Sequence, residues 1–295
     1  PRADGLIGGA IIESSVTVAF AEKKDRRHPL DKAEATGALF FEKAGIKSLK
    51  EAREIPAMEL VRLEDEVLGA GIHFEPAIDG RIIRESNFDA YRNNHHQRIP
   101  VIAGYNRGEA ESFSKVFSAA VETVEDFREY AAGFGDKAEE FMALCQVKDD
   151  EDVKKLFSGN AMLDLPAGAR LFGYLQDNQE RETYLYEFNA DIPGEDQAGS
   201  YHGSEMWFAY DSLARCWRPF TGKHYDLARQ VSSYWANFVK TGNPNGKDTA
   251  GEELPEWKSF TAENEFVMEF TDRPMESAVK ADPLMKFRID YTLGK

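Results

Sequence analysis

The residues best placed for chemistry are a histidine and an acid, each just past a run that reads as a strand. His202 stands in Ala198-Gly199-Ser200-Tyr201-His202-Gly203-Ser204-Glu205-Met206. An Asp-, Pro- and Gly-rich loop separates it from Thr183-Tyr184-Leu185-Tyr186-Glu187-Phe188-Asn189, which has the β-branched and aromatic bias of a strand. Rigid strands position the loops that carry reactive groups, and an imidazole titrates near neutrality, so His202 can take and return a proton. Its local context also fits a surface or capping histidine beside a turn. Glu109 follows Arg98-Ile99-Pro100-Val101-Ile102-Ala103-Gly104-Tyr105-Asn106, which predicts a buried strand running into a turn. It opens a predicted helix, where the dipole favours an acid whatever its role. An acid so placed can also orient a base by accepting a hydrogen bond from its second ring nitrogen.

Composition bounds the setting. The chain has 295 residues, 42% of them hydrophobic and 12% aromatic, enough for one large domain or two small ones. The net charge of −16 comes without a long basic cluster, so nucleic acid is not expected as a partner. No apolar run approaches the roughly 20 residues of a membrane span, and no membrane partner is expected. The first residue is Pro1 rather than Met, so a preceding segment is expected and the compartment, cytoplasmic or secreted, stays open. Cys145 lies in an apolar helical run and Cys216 beside Trp217. Two cysteines neither require nor exclude a disulfide; free, buried thiols are expected.

The remaining elements must hold the two loops. Ala10-Ile11-Ile12 is short, apolar and β-branched, like a buried parallel strand. Residues 22–29 form a charge run that reads as solvated loop. Helical spacing covers residues 31–44. Ser48 with Glu51 makes a capping box, Pro56 ends that helix or opens the next, and Leu60, Leu63 and Val67 line one face. A turn-rich piece centres on Asp79-Gly80. His95-His96 has no nearby Cys to complete a zinc-like set and reads as surface loop, so no metal is expected. After Glu109, Phe113, Val116, Phe117 and Ala120 repeat at helical spacing, and helices continue over 124–130, 138–147, 152–157 and 166–176. Met206-Trp207-Phe208-Ala209-Tyr210 is an aromatic cluster that either packs or, through Trp207 or Phe208, lines a pocket. An amphipathic helix over 225–241 ends at Gly242 and Pro244. Phe266, Met268 and Phe270 alternate as a final strand, and 284–293 is a short terminal element.

Several segments, in this order, resemble the carboxylesterase type B family, which includes para-nitrobenzyl-type esterases and cholinesterases. Phe74-Glu75-Pro76-Ala77-Ile78-Asp79-Gly80 is similar to its Pro-x-x-Asp-Gly turn. The stretch from Ile99 to Glu109 resembles its Pro-led strand, Gly-x-Asn turn and triad Glu. His202-Gly203-Ser204-Glu205 resembles its triad His, with a Glu three positions on. Trp235 to Asn245 resembles its late helix and turn, and Pro255-Glu256-Trp257-Lys258-Ser259-Phe260 its Trp-Pro-x-Tyr segment, with Lys258 and Phe260 as departures. Glu13-Ser14-Ser15 stands where the family has Gln-Ser-Gly; only Ser14 matches. The family's order is nucleophile, acid, histidine.

The resemblance implies the C-terminal part of an α/β-hydrolase fold: a mostly parallel sheet flanked by helices, with a helical excursion between the acid and histidine strands. It implies one domain over 1–295 whose N-terminal part, with the nucleophile elbow and oxyanion loop, lies upstream of Pro1. No serine of this chain stands in Gly-x-Ser-x-Gly. The implied activity is carboxylic ester hydrolysis through an acyl-enzyme, with Glu109 and His202 as triad members, Ser14 and Glu205 supporting them, and Trp207 and Phe208 toward the substrate. No cofactor is implied. The expected partners are a small-molecule carboxylic ester and the N-terminal part of the same protein. Alone, the chain is expected to be inert. Two other classes remain: a non-catalytic α/β-hydrolase-like interaction module, and a separately expressed chain that binds a partner.

Overall fold

The computed structural model describes residues 5–14, 29–68, 74, 76–109, 121–158, 162, 164–277 and 281–295. The chain forms two compact units, one of residues 1–23 with 91–295 and one of residues 24–90. The expectations for 22–28 and for Phe113 to Ala120 lie outside the described residues.

The first unit is built on a five-stranded sheet in the order β1 (Ala10–Glu13), β2 (Val101–Asn106), β3 (Thr183–Phe188), β4 (Val267–Phe270), β5 (Pro274–Glu276). The first four strands are parallel and β5 runs antiparallel to β4. Every residue of β2 and β3 is buried. That is what their unbroken apolar and aromatic runs demand, since parallel strands are covered on both faces. β4 is also buried throughout, so its alternation does not mark one wet face, and it is not the last strand. Sequence pattern missed β5 because it is three residues long and begins with a proline at the sheet edge.

Register sets side chains across the sheet. Gly104 lies opposite Tyr186, and a Cβ at Gly104 would fall 2.2 Å from that ring, so only glycine admits the tyrosine. Glu187 lies opposite Glu269, a like-charged pair that would repel. Arg107 pairs with both, and Tyr105 Oη donates to Glu187.

The helices between β2 and β3 include α5 (Val124–Ala132), α6 (Ala138–Cys145), α7 (Asp150–Ser158) and α8 (Asp164–Asp177). With α11 (Pro283–Leu293), α5, α6 and α7 bury an aromatic cluster in which Phe134 stacks on Phe141 at 4.3 Å. In α8, Gly173 lets the helix approach Leu185 and Phe260. The opposite sheet face, carrying Tyr184 and Tyr186, packs with Leu227, Val231, Tyr234 and Phe238 of α10 (Gly222–Thr241) and with Trp257. That helix starts earlier than its amphipathic stripe suggests. His224 closes its capping box, accepting from the Thr221 amide through Nδ1 at 2.9 Å, a role usually taken by Glu or Gln. Between β3 and α10 lie two short helical turns, α9 (Met206–Ala209) and a 3-10 turn over Leu213–Arg215.

The second unit holds α1 (Leu30–Ala44), α2 (Leu49–Glu54) and α3 (Ala57–Leu68); α4 (Asn87–Arg92) spans the point in the chain where it gives way to the first. Ser48 caps α2 by accepting from the Glu51 amide, while the Glu51 carboxylate takes the Lys47 amide rather than that of Ser48. Phe40, Ile46 and Ala52 form the core, with Leu60 and Leu63 against it. Asp79 Oδ1 accepts from the amides of Arg81, Ile82 and Ile83, which folds the turn at Gly80.

Candidate active site

The site lies at the C-terminal ends of β1, β2 and β3, where open α/β sheets bind ligands. Glu109 follows β2 by one turn and has no exposed surface. Its Oε1 accepts from Ser14 Oγ at 2.5 Å and from the Asn106 amide at 3.0 Å. Its Oε2 stands 2.8 Å from His202 Nδ1. The two residues that the sequence singled out for chemistry therefore meet, although 93 positions separate them.

Backbone contacts bring their loops together. Past β2 the ladder continues with Arg107 N donating to Phe188 O at 2.9 Å and Gly108 N to Ser200 O at 3.0 Å. Tyr201 pairs with Gly108 as a parallel bridge, which sets His202 beside Glu109. A carboxylate only accepts, so the proton between them sits on Nδ1 and the basic lone pair of the neutral ring is on Nε2. The imidazole is 43% exposed while its carboxylate partner is sealed.

Ser14 reaches Glu109 from the end of β1. Its φ of 50° is left-handed, uncommon for serine, and its amide donates to Gly104 O at 2.9 Å. Its neighbour Glu13 accepts from Trp235 Nε1 of α10 at 2.7 Å, which fastens that strand end.

Asn106 is the residue the sequence reading passed over. It is fully buried at the end of β2. Its Nδ2 donates to Glu205 Oε2 at 2.5 Å and to Tyr201 O at 2.7 Å. Its backbone amide holds Glu109 while its side chain holds the histidine loop, so Asn106 ties both to one residue. The available signal was its place three positions before the acid, at a strand end. Glu205 is 3% exposed, and burial raises its pKa above the usual carboxyl value, opposed by the Asn106 hydrogen bond and reinforced by Glu13 and Glu109. Tyr186 lies in the same field: burial, then Glu205, Glu13 and Glu109, hold its phenol well above the ordinary value. Among the described residues its buried hydroxyl has no hydrogen-bond partner.

The two aromatic candidates separate. Trp207 is half-buried, edge-on to Tyr201 at 6.1 Å and to Phe220 at 5.9 Å. Phe208 has no exposed surface and packs at 5.0 Å from Phe188, within the core. Both cysteines are free thiols of intermediate exposure. Among the described residues no cluster of His, Cys, Asp or Glu could hold a metal. His96 Nε2 is instead 2.7 Å from Gln176 Oε1.

The sheet and its flanking helices are those of an α/β-hydrolase. A para-nitrobenzyl esterase structure superposes with a TM-score of 0.72, covering 99% of this chain and 59% of that one at 21% identity. A Geobacillus stearothermophilus carboxylesterase gives 0.66, covering 98% and 58% at 22% identity. Residues 1–286 match the carboxylesterase family model, and the chain belongs to that family. Sequence relatives include the fumonisin B1 esterase of Sphingopyxis macrogoltabida, 25% identical over 81% of this chain and 46% of that protein. The human bile salt-activated lipase is 24% identical over 75% of this chain and 32% of its own length. The bovine carboxylesterase 4A is 33% identical over 40% and 22%. The chain thus spans less than half the length of each of these relatives.

Proposed function

We propose that this chain supplies the base and its orienting acid to a serine carboxylic ester hydrolase. In this reading residues 1–295 are the C-terminal part of one catalytic domain, and the nucleophilic serine and oxyanion donors come from polypeptide that precedes them. His202 Nε2 takes the proton of the attacking serine and returns it to the leaving alcohol. Glu109 holds the ring in the needed tautomer and stabilises the imidazolium. Ser14 and the Asn106 amide hold the carboxylate, and Glu205 anchors the histidine loop through Asn106. Trp207 faces the substrate, a small-molecule carboxylic ester, with Phe208 packed behind it. No cofactor enters.

The observation that carries this reading is the buried carboxylate of Glu109, held by Ser14 and the Asn106 amide and paired with the half-exposed imidazole of His202. The test is aryl ester turnover by the complete gene product and its His202→Ala and Glu109→Gln variants. A loss of roughly 10⁴-fold in kcat is expected for each. A covalent serine probe should label a residue preceding this chain. Turnover that survives both substitutions, or a label on a serine of residues 1–295, would refute the reading.

A further inference from the structure

We infer that Arg218 is a positioning residue for His202, holding the histidine loop through a bidentate ion pair with Asp196 and a stacking contact on Tyr201. The inference rests on the reading of His202 as the base. The segment from Ala190 to Tyr201 has no regular structure, and Gln197 and Gly199 take left-handed φ values of 48° and 61°. Its far end is fixed by the Ser200 and Tyr201 carbonyls, which accept from Gly108 N and Asn106 Nδ2. Its near half is held by Arg218. Nη1 donates to Pro193 O at 3.0 Å and to Asp196 Oδ1 at 2.9 Å, and Nη2 donates to Asp196 Oδ2 at 2.8 Å. The same guanidinium carbon stands 5.5 Å from the centre of the Tyr201 ring and 4.6 Å from that of Trp217. Tyr201 precedes His202 directly and touches Trp207 edge-on, so Arg218, Tyr201 and Trp207 form one contact chain that ends at the residue before the histidine.

Three features set this pair apart from an ordinary surface bridge. The Arg218 side chain is only 5% exposed, whereas that of Asp196 is 51% exposed. The planar fork meets the carboxylate with both nitrogens, a geometry that a lysine cannot reproduce. The backbone is also built around the pair. A Cβ at Gly194 would fall 2.5 Å from Asp196 Oδ1 and 2.6 Å from Arg218 Nη1, so any other residue there must displace the ends of these side chains. The shared hydrogen bonds hold the Asp196 carboxyl below its usual pKa and the Arg218 guanidinium above its own.

The experiment uses the complete gene product with isotope-labelled histidine and three variants: Gly194→Ala, which keeps both charges, Asp196→Asn and Arg218→Lys. The first readout is the imidazole carbon–proton resonance of His202, with that of His96 as an internal check on folding. In each variant the His202 signal should broaden or split while that of His96 stays in place. The second readout is ester turnover: kcat should fall roughly 10- to 100-fold, with KM within about twofold. Asp196→Asn and Arg218→Lys should be non-additive, because both open the same contact. Lys247→Met, which breaks the exposed Lys247–Glu253 pair, should leave both readouts unchanged. A His202 signal identical to wild type in all three variants would overturn the inference, whatever the activity. A disturbed His202 signal, in a protein whose turnover does not need His202, would leave the positioning role standing and remove the hydrolase reading instead.

Discussion

Ser14 hydrogen-bonds a buried carboxylate, and such bonds are worth about 1.5–3 kcal/mol. Ser14→Ala should therefore lower kcat roughly 10- to 100-fold in the complete protein, with KM little changed, as steady-state kinetics on an aryl ester would reveal. Glu205 gives a stability prediction with a definite sign. Its carboxyl holds a proton more tightly folded than unfolded, because burial opposes charge. The stabilisation is complete below the ordinary carboxyl pKa and is lost as pH rises through the raised folded value. Glu205→Gln should flatten that decline, measured as urea midpoints from about pH 4 to about pH 9. If wild type and variant keep parallel profiles, the buried acid does not titrate as argued. Burial also pushes the Cys145 thiol up to about 12, so native protein should resist alkylation there near neutral pH. Peptide mapping after brief iodoacetamide treatment reads this directly. At this scale the meeting of Glu109 and His202 was legible, because their types and their places after two strands pointed to one another. Asn106 was not, since an amide at a strand end reads as a turn former. Its work depends on which atoms the sheet register brings within 3 Å.

Elements with strong periodicity or apolar runs were read correctly: β2, β3, the four helices between them that start at 124, 138, 150 and 164, and the Gly242–Pro244 stop. Their burial is decided locally, by composition. The short antiparallel β5 and the early start of α10 escaped, because one depends on pairing with β4 and the other on a histidine closing a cap. The most consequential element is β1. It is half-buried, and among the described residues it pairs only with β2. An apolar, β-branched edge recruits another strand. Purified residues 1–295 should therefore self-associate, or be recovered with a companion polypeptide, in sizing by light scattering. A soluble monomer that unfolds cooperatively with no companion would show that the sheet is self-sufficient from β1 onward.

For the molecule as a whole, Glu109 and His202 meet at one end of the sheet in a chain that holds no Gly-x-Ser-x-Gly. Residues 1–295 alone should leave a simple aryl ester unhydrolysed, in an assay where the complete protein turns it over; robust turnover by the chain alone would end the proposal. The sheet order has a consequence of another kind. Among the described residues each strand from β2 to β5 lies beside the one made just before it, with none inserted later between earlier neighbours. On the ribosome, every strand from β2 onward thus emerges to find its template already present, and no finished pair has to reopen. The long helical stretches that precede β2, β3 and β4 slow those additions, since loop closure precedes the reward of pairing, whereas β5 follows β4 after three residues. Translation pauses placed after β2 and after β3 should therefore raise the yield of folded protein, and the same pauses placed within those strands should not.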